Sequence, residues 1–228
     1  MPRTTKAASD RRIEFINAAE ALFNEKGFEN TSIDDIVQRI GVAKGLFYYY
    51  FKSREELLAA IVDRILDEMQ KVVIDATNKE GLTAMQRLQE MSTSSDFIRI
   101  RSSNLMKYFH EERNQALHLQ LEVRTMRFLV PAMEAIIEQG VREGVFKTPY
   151  PRETAIALFG IKSVIDHTNA GTDYCEDVER NIQIIAFLSE RLLGAKEGVF
   201  LKFFNEMKRH AMETGCGWRA WIPTWRTC

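Results

Sequence analysis

One short stretch, residues 31–52, constrains the fold of this chain more than any other feature. It reads TSIDDIVQRIGVAKGLFYYYFK. Thr31 and Ser32 are helix-capping residue types, and each has an aspartate three positions further on, as in an acidic capping box. An apolar stripe at helical spacing follows, made of Ile33, Ile36, Val37 and Ile40. Gly41 then suits the end of a helix. The stretch therefore predicts a short capped helix, a tight turn and a second helix.

The second helix of this pair has two different faces. Phe47 and Phe51, four positions apart, predict its buried side, while Lys44, Tyr48 and Lys52 share another face. Between residues 36 and 54 the chain has four basic residues and no acidic one. Such a local charge pattern favours contact with a phosphate backbone. The alternative is that the tyrosines are half-exposed packing residues and the lysines are ordinary solvated charges.

The run from Ala18 through Leu57 resembles the N-terminal domain of the tetracycline-repressor (TetR) family of bacterial transcription regulators. The matching segments are ALFNEKGF, TSIDDIVQRIGV and KGLFYYYFKSREEL, in that order. Two positions depart from the family pattern. Ala43 stands where many members have serine, and Leu46 stands where many have threonine.

The resemblance implies DNA-binding roles for residues of this stretch. A recognition helix places its N-terminal residues against base edges, so we expect Lys44 to read guanine and Gly45 to permit close approach. The resemblance further implies that Thr31, Tyr48, Tyr50 and Lys52 hold phosphates, with Tyr49 ambiguous. The predicted DNA-binding set is Thr31, Lys44, Gly45, Tyr48, Tyr49, Tyr50 and Lys52.

The rest of the chain also shows helical periodicity, so the predicted fold class is all-α. Residues 1–53 are expected to form a three-helix DNA-binding domain with a flexible basic arm over 1–10. Its first helix is predicted to end at Gly27, with an apolar side made of Ile13, Ile16, Ala19, Leu22 and Phe23. Ser53 and Glu56 predict the capped start of a long fourth helix of about 25 residues, or about 37 Å.

Residues 54–197 are expected to bind an effector and to form the dimer. Helices are predicted over 82–91 and 97–109, with a polar break at 92–96 between them, and then over 114–141. The last pair, 153–169 and 176–193, corresponds in the resembled family to a four-helix homodimer interface. The alternative is that these two are plain core helices.

The resemblance also implies a small-molecule pocket in this larger domain. Methionine and aromatic side chains suit adaptable apolar sites. The candidate lining residues are Met69, Phe97, Met106, Phe109, Met126, Phe128 and Met133. Each is also compatible with an ordinary core position.

Residues 198–228 form a C-terminal extension. Phe200, Phe203 and Phe204 are expected to pack on the body of the protein. The tail beyond them carries Trp218, Trp221 and Trp225, which would follow that anchor, dock a partner, lie at a membrane surface or cover the pocket.

Several functional classes are disfavoured. The net charge of −1 argues against indiscriminate nucleic-acid binding, and no apolar run is long enough for a membrane span. Three cysteines without a C-x-x-C motif suit a reducing cytoplasm. His110 begins a partial zinc motif, but Asn114 replaces its second histidine. No nucleotide-binding or nucleophile motif is present, so we expect neither catalysis nor a metal or cofactor.

The sequence thus predicts a cytoplasmic, homodimeric DNA-binding regulator, a repressor released from a pseudo-palindromic operator by a small molecule. One alternative is a DNA-binding structural or division-control protein without an effector. Another is a helical ligand-binding protein or enzyme with a vestigial head.

Overall fold

The computed structural model describes residues 8–101, 105, 108, 114–168 and 178–213. All regular elements within these residues are helices, which confirms the all-α prediction. They are α1 Ala8–Lys26, α2 Ile33–Ile40, α3 Lys44–Tyr50, α4 Arg54–Asn78, α5 Ala84–Arg101, α6 Gln115–Arg142, α7 Pro151–Thr168, α8 Val178–Leu193 and α9 Val199–Glu213. The first residues of the basic arm, Met106, Phe109, the tryptophan tail and the side chain of Phe97 lie outside the described residues.

The N-terminal helices α1–α3 pack around an aromatic centre. Phe15 is fully buried, and its ring meets the rings of Phe47 at 5.8 Å and Phe51 at 6.1 Å. Placing Ile13 on the buried side was wrong, because this residue is 51% exposed. Phe15, Ile16, Ala19, Leu22 and Phe23 form one face, and Ile13 lies about 200° around the helix from Phe15.

The long helix α4 joins the two hydrophobic cores of the protein. Its predicted start is confirmed, since the Ser53 hydroxyl accepts the Glu56 N–H at 3.2 Å. The first half of its apolar stripe, as far as Leu66, belongs to the core of α1–α3, which also includes Leu105. From Val73 onward, α4 contributes to a second core with α5, α6, α7, α8 and α9. One rigid element is therefore anchored in both cores.

The predicted polar break at 92–96 was wrong, because α5 runs without interruption from Ala84 to Arg101. The Thr93 hydroxyl donates to the Gln89 carbonyl at 2.9 Å, one turn earlier. Serine and threonine can satisfy their hydroxyls in this way inside a helix. A cluster of such residues therefore does not by itself end one.

The C-terminal helix α9 packs on the body of the protein, as predicted. Phe200 and Phe203 are buried, and the Phe200 ring lies 6.2 Å from that of Phe146. The buried Glu190 carboxylate accepts the Phe200 N–H at 2.9 Å and so satisfies a free amide near the start of α9. The extension as far as Met207 thus contributes to the second core.

Candidate nucleic-acid interface

The turn between α2 and α3 is held by local hydrogen bonds. Ser32 caps α2 by accepting the Asp35 N–H at 3.1 Å, and the Asp35 carboxylate accepts the Ser32 N–H at 2.7 Å. Gly41 ends α2 in the left-handed conformation, with φ 69°, which glycine adopts without strain. Both predicted caps are confirmed. They set the direction in which α3 leaves the turn.

The capping carboxylate is also an ion-pair partner. Lys26 from the last turn of α1 lies 2.8 Å from Asp35. The hydrogen bond from Lys26, supported by those from Ser32, holds the pKa of Asp35 well below its usual value. The start of α2 is therefore tied to the end of α1.

Helix α3 turns its phenylalanines inward and its tyrosines outward. Phe47 and Phe51 are fully buried, whereas Tyr48 is 53% exposed and Tyr49 is 76% exposed. Tyr50 is half-buried, with its ring 5.8 Å from that of Phe15. Lys44, Gly45 and Lys52 are exposed, and a Cβ on Gly45 would meet no atom within 4 Å other than those of its chain neighbours and of its own helix backbone. Five of the predicted residues thus reach the outer surface, and a sixth reaches it partly.

Thr31 is placed inside the head, where α1–α3 pack. It is fully buried, and its hydroxyl donates to the Gly27 carbonyl at 2.7 Å. Its carbonyl accepts a hydrogen bond from Arg54 at 2.6 Å. This placement disagrees with the expected phosphate contact through the Thr31 side chain, because no part of Thr31 is open to solvent.

The two positions that depart from the family pattern have structural consequences. Ala43 stands at the N-cap of α3 and provides no side-chain hydrogen bond. The first turn of α3 relies instead on the backbone, with the Leu46 N–H donating to the Ala43 carbonyl at 3.0 Å. Leu46 packs against the core of α1–α3.

The fold brings acidic groups to the stretch that contains none in sequence. Lys44 Nζ lies 2.9 Å from Asp34 Oδ2, and this hydrogen bond raises the pKa of Lys44. Arg39 forms an ion pair with Glu25 of α1. Sequence reasoning missed both pairs, because their partners lie ten and fourteen residues away.

The other two basic residues of this stretch, Arg54 and Lys52, differ in whether their charged groups contact other parts of the protein. The Arg54 guanidinium lies over the Phe28 ring, 4.2 Å from its centroid, and donates to the carbonyls of Phe28 and Thr31. Among the residues that the structure describes, no acidic partner is found for the Lys52 ammonium. Of the four basic side chains, Lys52 is therefore the one that meets no competing carboxylate or carbonyl there.

Several contacts link the head to the rest of the protein. The Phe28 ring contacts both Arg54 and Tyr108, and the Tyr108 ring centroid is 4.8 Å from that of Phe28. Arg64 of α4 pairs with the buried Glu20 of α1. The loop that precedes α2 is therefore in contact with α4 and with a residue beyond α5.

Four of the predicted pocket residues fall within the described side chains. Met69 packs against the first core, Met126 and Met133 against the second, and Phe128 against both. All four are half-buried. This placement agrees with a lining role and with an ordinary core role alike.

The described part of the chain offers neither of two other kinds of site. No group of three or more histidine, cysteine, aspartate or glutamate residues there has the arrangement of a metal site. No helix among these residues has the length and apolar character needed to cross a membrane.

Two family models match the chain. The model for bacterial regulatory proteins of the tetR family matches residues 15–61, which include α2 and α3. The model for the tetracyclin repressor-like C-terminal domain matches residues 99–170. The first match thus covers much of the core of α1–α3, and the second match covers the part of the second core that α6 and α7 supply.

Individual relatives agree with these models. The HTH-type transcriptional regulator YfiR of Bacillus subtilis is 27% identical over 167 residues, which cover 69% of this chain and 79% of YfiR. The HTH-type transcriptional repressor KstR2 of Mycobacterium tuberculosis is 26% identical over 155 residues, covering 64% of this chain and 74% of KstR2. A crystal structure of a TetR/AcrR-family transcriptional regulator from Thermobifida fusca superposes with a TM-score of 0.58 at 26% identity, covering 81% of this chain and 97% of that one.

Proposed function

Since this chain belongs to the TetR family of DNA-binding transcriptional regulators, we propose that it is a repressor released from a pseudo-palindromic operator by a small molecule. The observation that carries the proposal is the outer face of α3. That face leaves Tyr48, Tyr49 and an open backbone at Gly45 exposed, while Phe47 and Phe51 hold the helix from behind. Large exposed aromatic groups suit an interface better than free solution. The similarity to KstR2, which is named a repressor, supports the direction of regulation.

The outer residues divide into two roles. Lys44 and Gly45, at the start of α3, meet base edges in the major groove, where a lysine can donate to guanine O6 and N7. Tyr48, Tyr49, Tyr50 and Lys52 contact phosphates, which set the register of the helix but not the sequence read. Thr31 positions α2 from inside the head and makes no side-chain contact with DNA.

A homodimer is supported by apolar side chains that α7 and α8 leave exposed. They are Ile156, Val164, Ile184 and Phe187. Several large apolar side chains left exposed on two helices favour an association site in a soluble protein. A two-fold dimer would place the two α3 helices in successive major grooves, with half-site centres about 34 Å apart or at a related helical spacing.

Release by an effector needs a physical link between the larger domain and the head. The ring of Tyr108 against Phe28 supports such a link, since Phe28 precedes α2 and lies under Arg54 of α4. The proposed pocket is lined by Met69, Phe97, Met106, Phe109, Met126, Phe128 and Met133. A coupling of about 1–3 kcal/mol, or about 5- to 150-fold in affinity, would suffice. The effector must bind one conformation better than the other.

The experiment is fluorescence anisotropy of a labelled duplex taken from around the gene of this protein, at two salt concentrations. We expect tight, salt-sensitive and sequence-selective binding by a dimer, because phosphate contacts release counterions. The complex then provides the assay for release by apolar small molecules. Binding that is weak and blind to sequence on duplexes tiled across the neighbouring genes would contradict the proposal.

A further inference from the structure

The contact between Lys44 and Asp34 joins the expected base-reading side chain to an acid of the same surface. Lys44 lies at the start of α3, and Asp34 lies in the first turn of α2. The ammonium and the carboxylate are 2.9 Å apart. The side chains are 48% and 70% exposed, so the pair lies where DNA would approach.

Asp34 is not needed for the cap of α2. The capping box uses Asp35, whose carboxylate accepts both the N–H and the hydroxyl of Ser32. In the part of the chain that is described, the hydrogen-bond partner found for the Asp34 side chain is Lys44. An exposed ion pair of this kind contributes little to folding stability. The pair can therefore be altered with little effect on folding, so a change in DNA binding can be measured separately.

We propose that Asp34 is a specificity-determining residue that makes Lys44 a donor for bases instead of a charge for phosphates. The inference rests on the proposed DNA-binding function. Non-specific binding depends almost wholly on uncompensated positive charge near phosphates. The carboxylate of Asp34 neutralises the charge of Lys44 and repels phosphates from it.

The same contact leaves Lys44 able to read a base. A lysine ammonium has three N–H donors, of which one is used by Asp34. The other two remain for the uncharged acceptors O6 and N7 of guanine, the usual partners of a lysine in the major groove. Asp34 thus weakens binding to any duplex, but weakens it less where a guanine is correctly placed.

The test compares Asp34→Asn with Asp67→Asn, which removes the same charge from an exposed position on α4. Both variants and the wild type are titrated with a labelled duplex of random sequence over a range of salt. We expect Asp34→Asn to bind this duplex about 3- to 10-fold more tightly, with a salt dependence steeper by about 0.9 per phosphate gained in each protomer. Asp67→Asn should behave as the wild type. On a duplex selected by the wild type, the gain should be smaller, so the ratio of specific to non-specific affinity falls.

The variant Lys44→Met separates this inference from the proposed function. In that background, Asp34→Asn removes only the repulsion between its own carboxylate and the phosphates, so its gain on the random duplex should be clearly smaller than the gain in the presence of Lys44. An affinity gain that is as large without Lys44 as with it, or an Asp34→Asn variant that binds the random duplex as the wild type does, would overturn the role of Asp34 while leaving the regulator intact. Absence of salt-sensitive binding by the wild type itself would refute the DNA-binding function, and this inference with it.

Discussion

Gly45 of α3 and Gly140 of α6 represent two regions that use the same residue for opposite purposes. A Cβ on Gly45 would point into open space, whereas a Cβ on Gly140 would overlap the ring of the buried Phe146. The carbonyl of Gly140 also accepts the N–H groups of Val145 and Phe146 at the end of α6. In the head, the absence of a side chain at Gly45 leaves backbone exposed to a binding partner. In the larger domain, the absence of a side chain at Gly140 makes room for the Phe146 ring in the core. Substitutions that separate DNA affinity from stability test this contrast.

The largest effect on DNA affinity is expected from replacing Tyr48, an exposed tyrosine of α3. Tyr48→Ala should abolish measurable operator binding, with a loss above about 100-fold, because a hydrogen bond to a charged group is worth about 1.5–3 kcal/mol and a dimer loses two. The free energy of unfolding should change little, since Tyr48 is 53% exposed. Anisotropy titration and thermal unfolding measure the two quantities.

Tyr150→Ala is the matched control for this variant, because Tyr150 is 65% exposed but lies between α6 and α7. It should leave DNA affinity unchanged. A Tyr48→Ala protein that still binds its operator would undo the assignment of the α3 face.

The next largest effect is expected on the free energy of unfolding, from replacing Gly140 of the larger domain. Gly140→Ala should lower the free energy of unfolding by about 1–3 kcal/mol, the usual cost of overpacking a filled core. The folded fraction should keep its DNA affinity. Urea unfolding followed by circular dichroism gives the first quantity, and titration with duplex corrected for active dimer gives the second.

Gly45→Ala should show the reverse pattern. Alanine in a helix is more stable than glycine by up to about 1 kcal/mol, so unfolding should become no easier. DNA affinity should fall about tenfold, because the added methyl group occupies space kept for DNA. Equal responses of the two glycine variants would remove the contrast between the two regions.

A smaller effect is expected at the buried threonine. Thr31→Val should lower the free energy of unfolding by about 1 kcal/mol, because the Gly27 carbonyl loses its donor inside the head. Affinity of the folded dimer for DNA should stay within about twofold. Thr125→Val, whose hydroxyl donates within α6 to Leu121, is the control and should cost less. A large loss of affinity at unchanged stability would restore the phosphate contact for Thr31.

The smallest effect concerns the cap of α2 and appears only in acid. The pKa of Asp35 is depressed in the folded protein, so its contribution to stability is present above the unfolded pKa of about 3.9. It is lost as the pH falls below that value, because the unfolded chain takes up the proton first. The urea midpoint of the wild type should therefore fall between pH 5 and pH 3. A profile for Asp35→Asn that drops just as steeply would contradict this account.

Sequence reasoning was correct for the caps and for α3 in the head and was wrong at one place in each region, for physical reasons. In the head, the caps at Ser32 and Gly41 and the inward phenylalanines follow from contacts between residues three or four positions apart. The same rules were wrong at Ile13, whose spacing suited a stripe that Phe15 in fact occupies. They were wrong again at 92–96, where the Thr93 hydroxyl is satisfied inside α5. The pocket residues stay a prediction, because a lining methionine and a core methionine have the same local pattern.

The sequence by itself determined that the chain is helical, that α2 is capped and followed by a turn, and that α3 carries an aromatic and basic surface. These features depend on helical periodicity and on short-range hydrogen bonds, which can be read from neighbouring residues. The tertiary structure alone decided which charges stay available. It paired Lys44 with Asp34 and Arg39 with Glu25, and it placed Arg54 over Phe28. Such pairs form between elements that only folding brings together, so no local pattern encodes them.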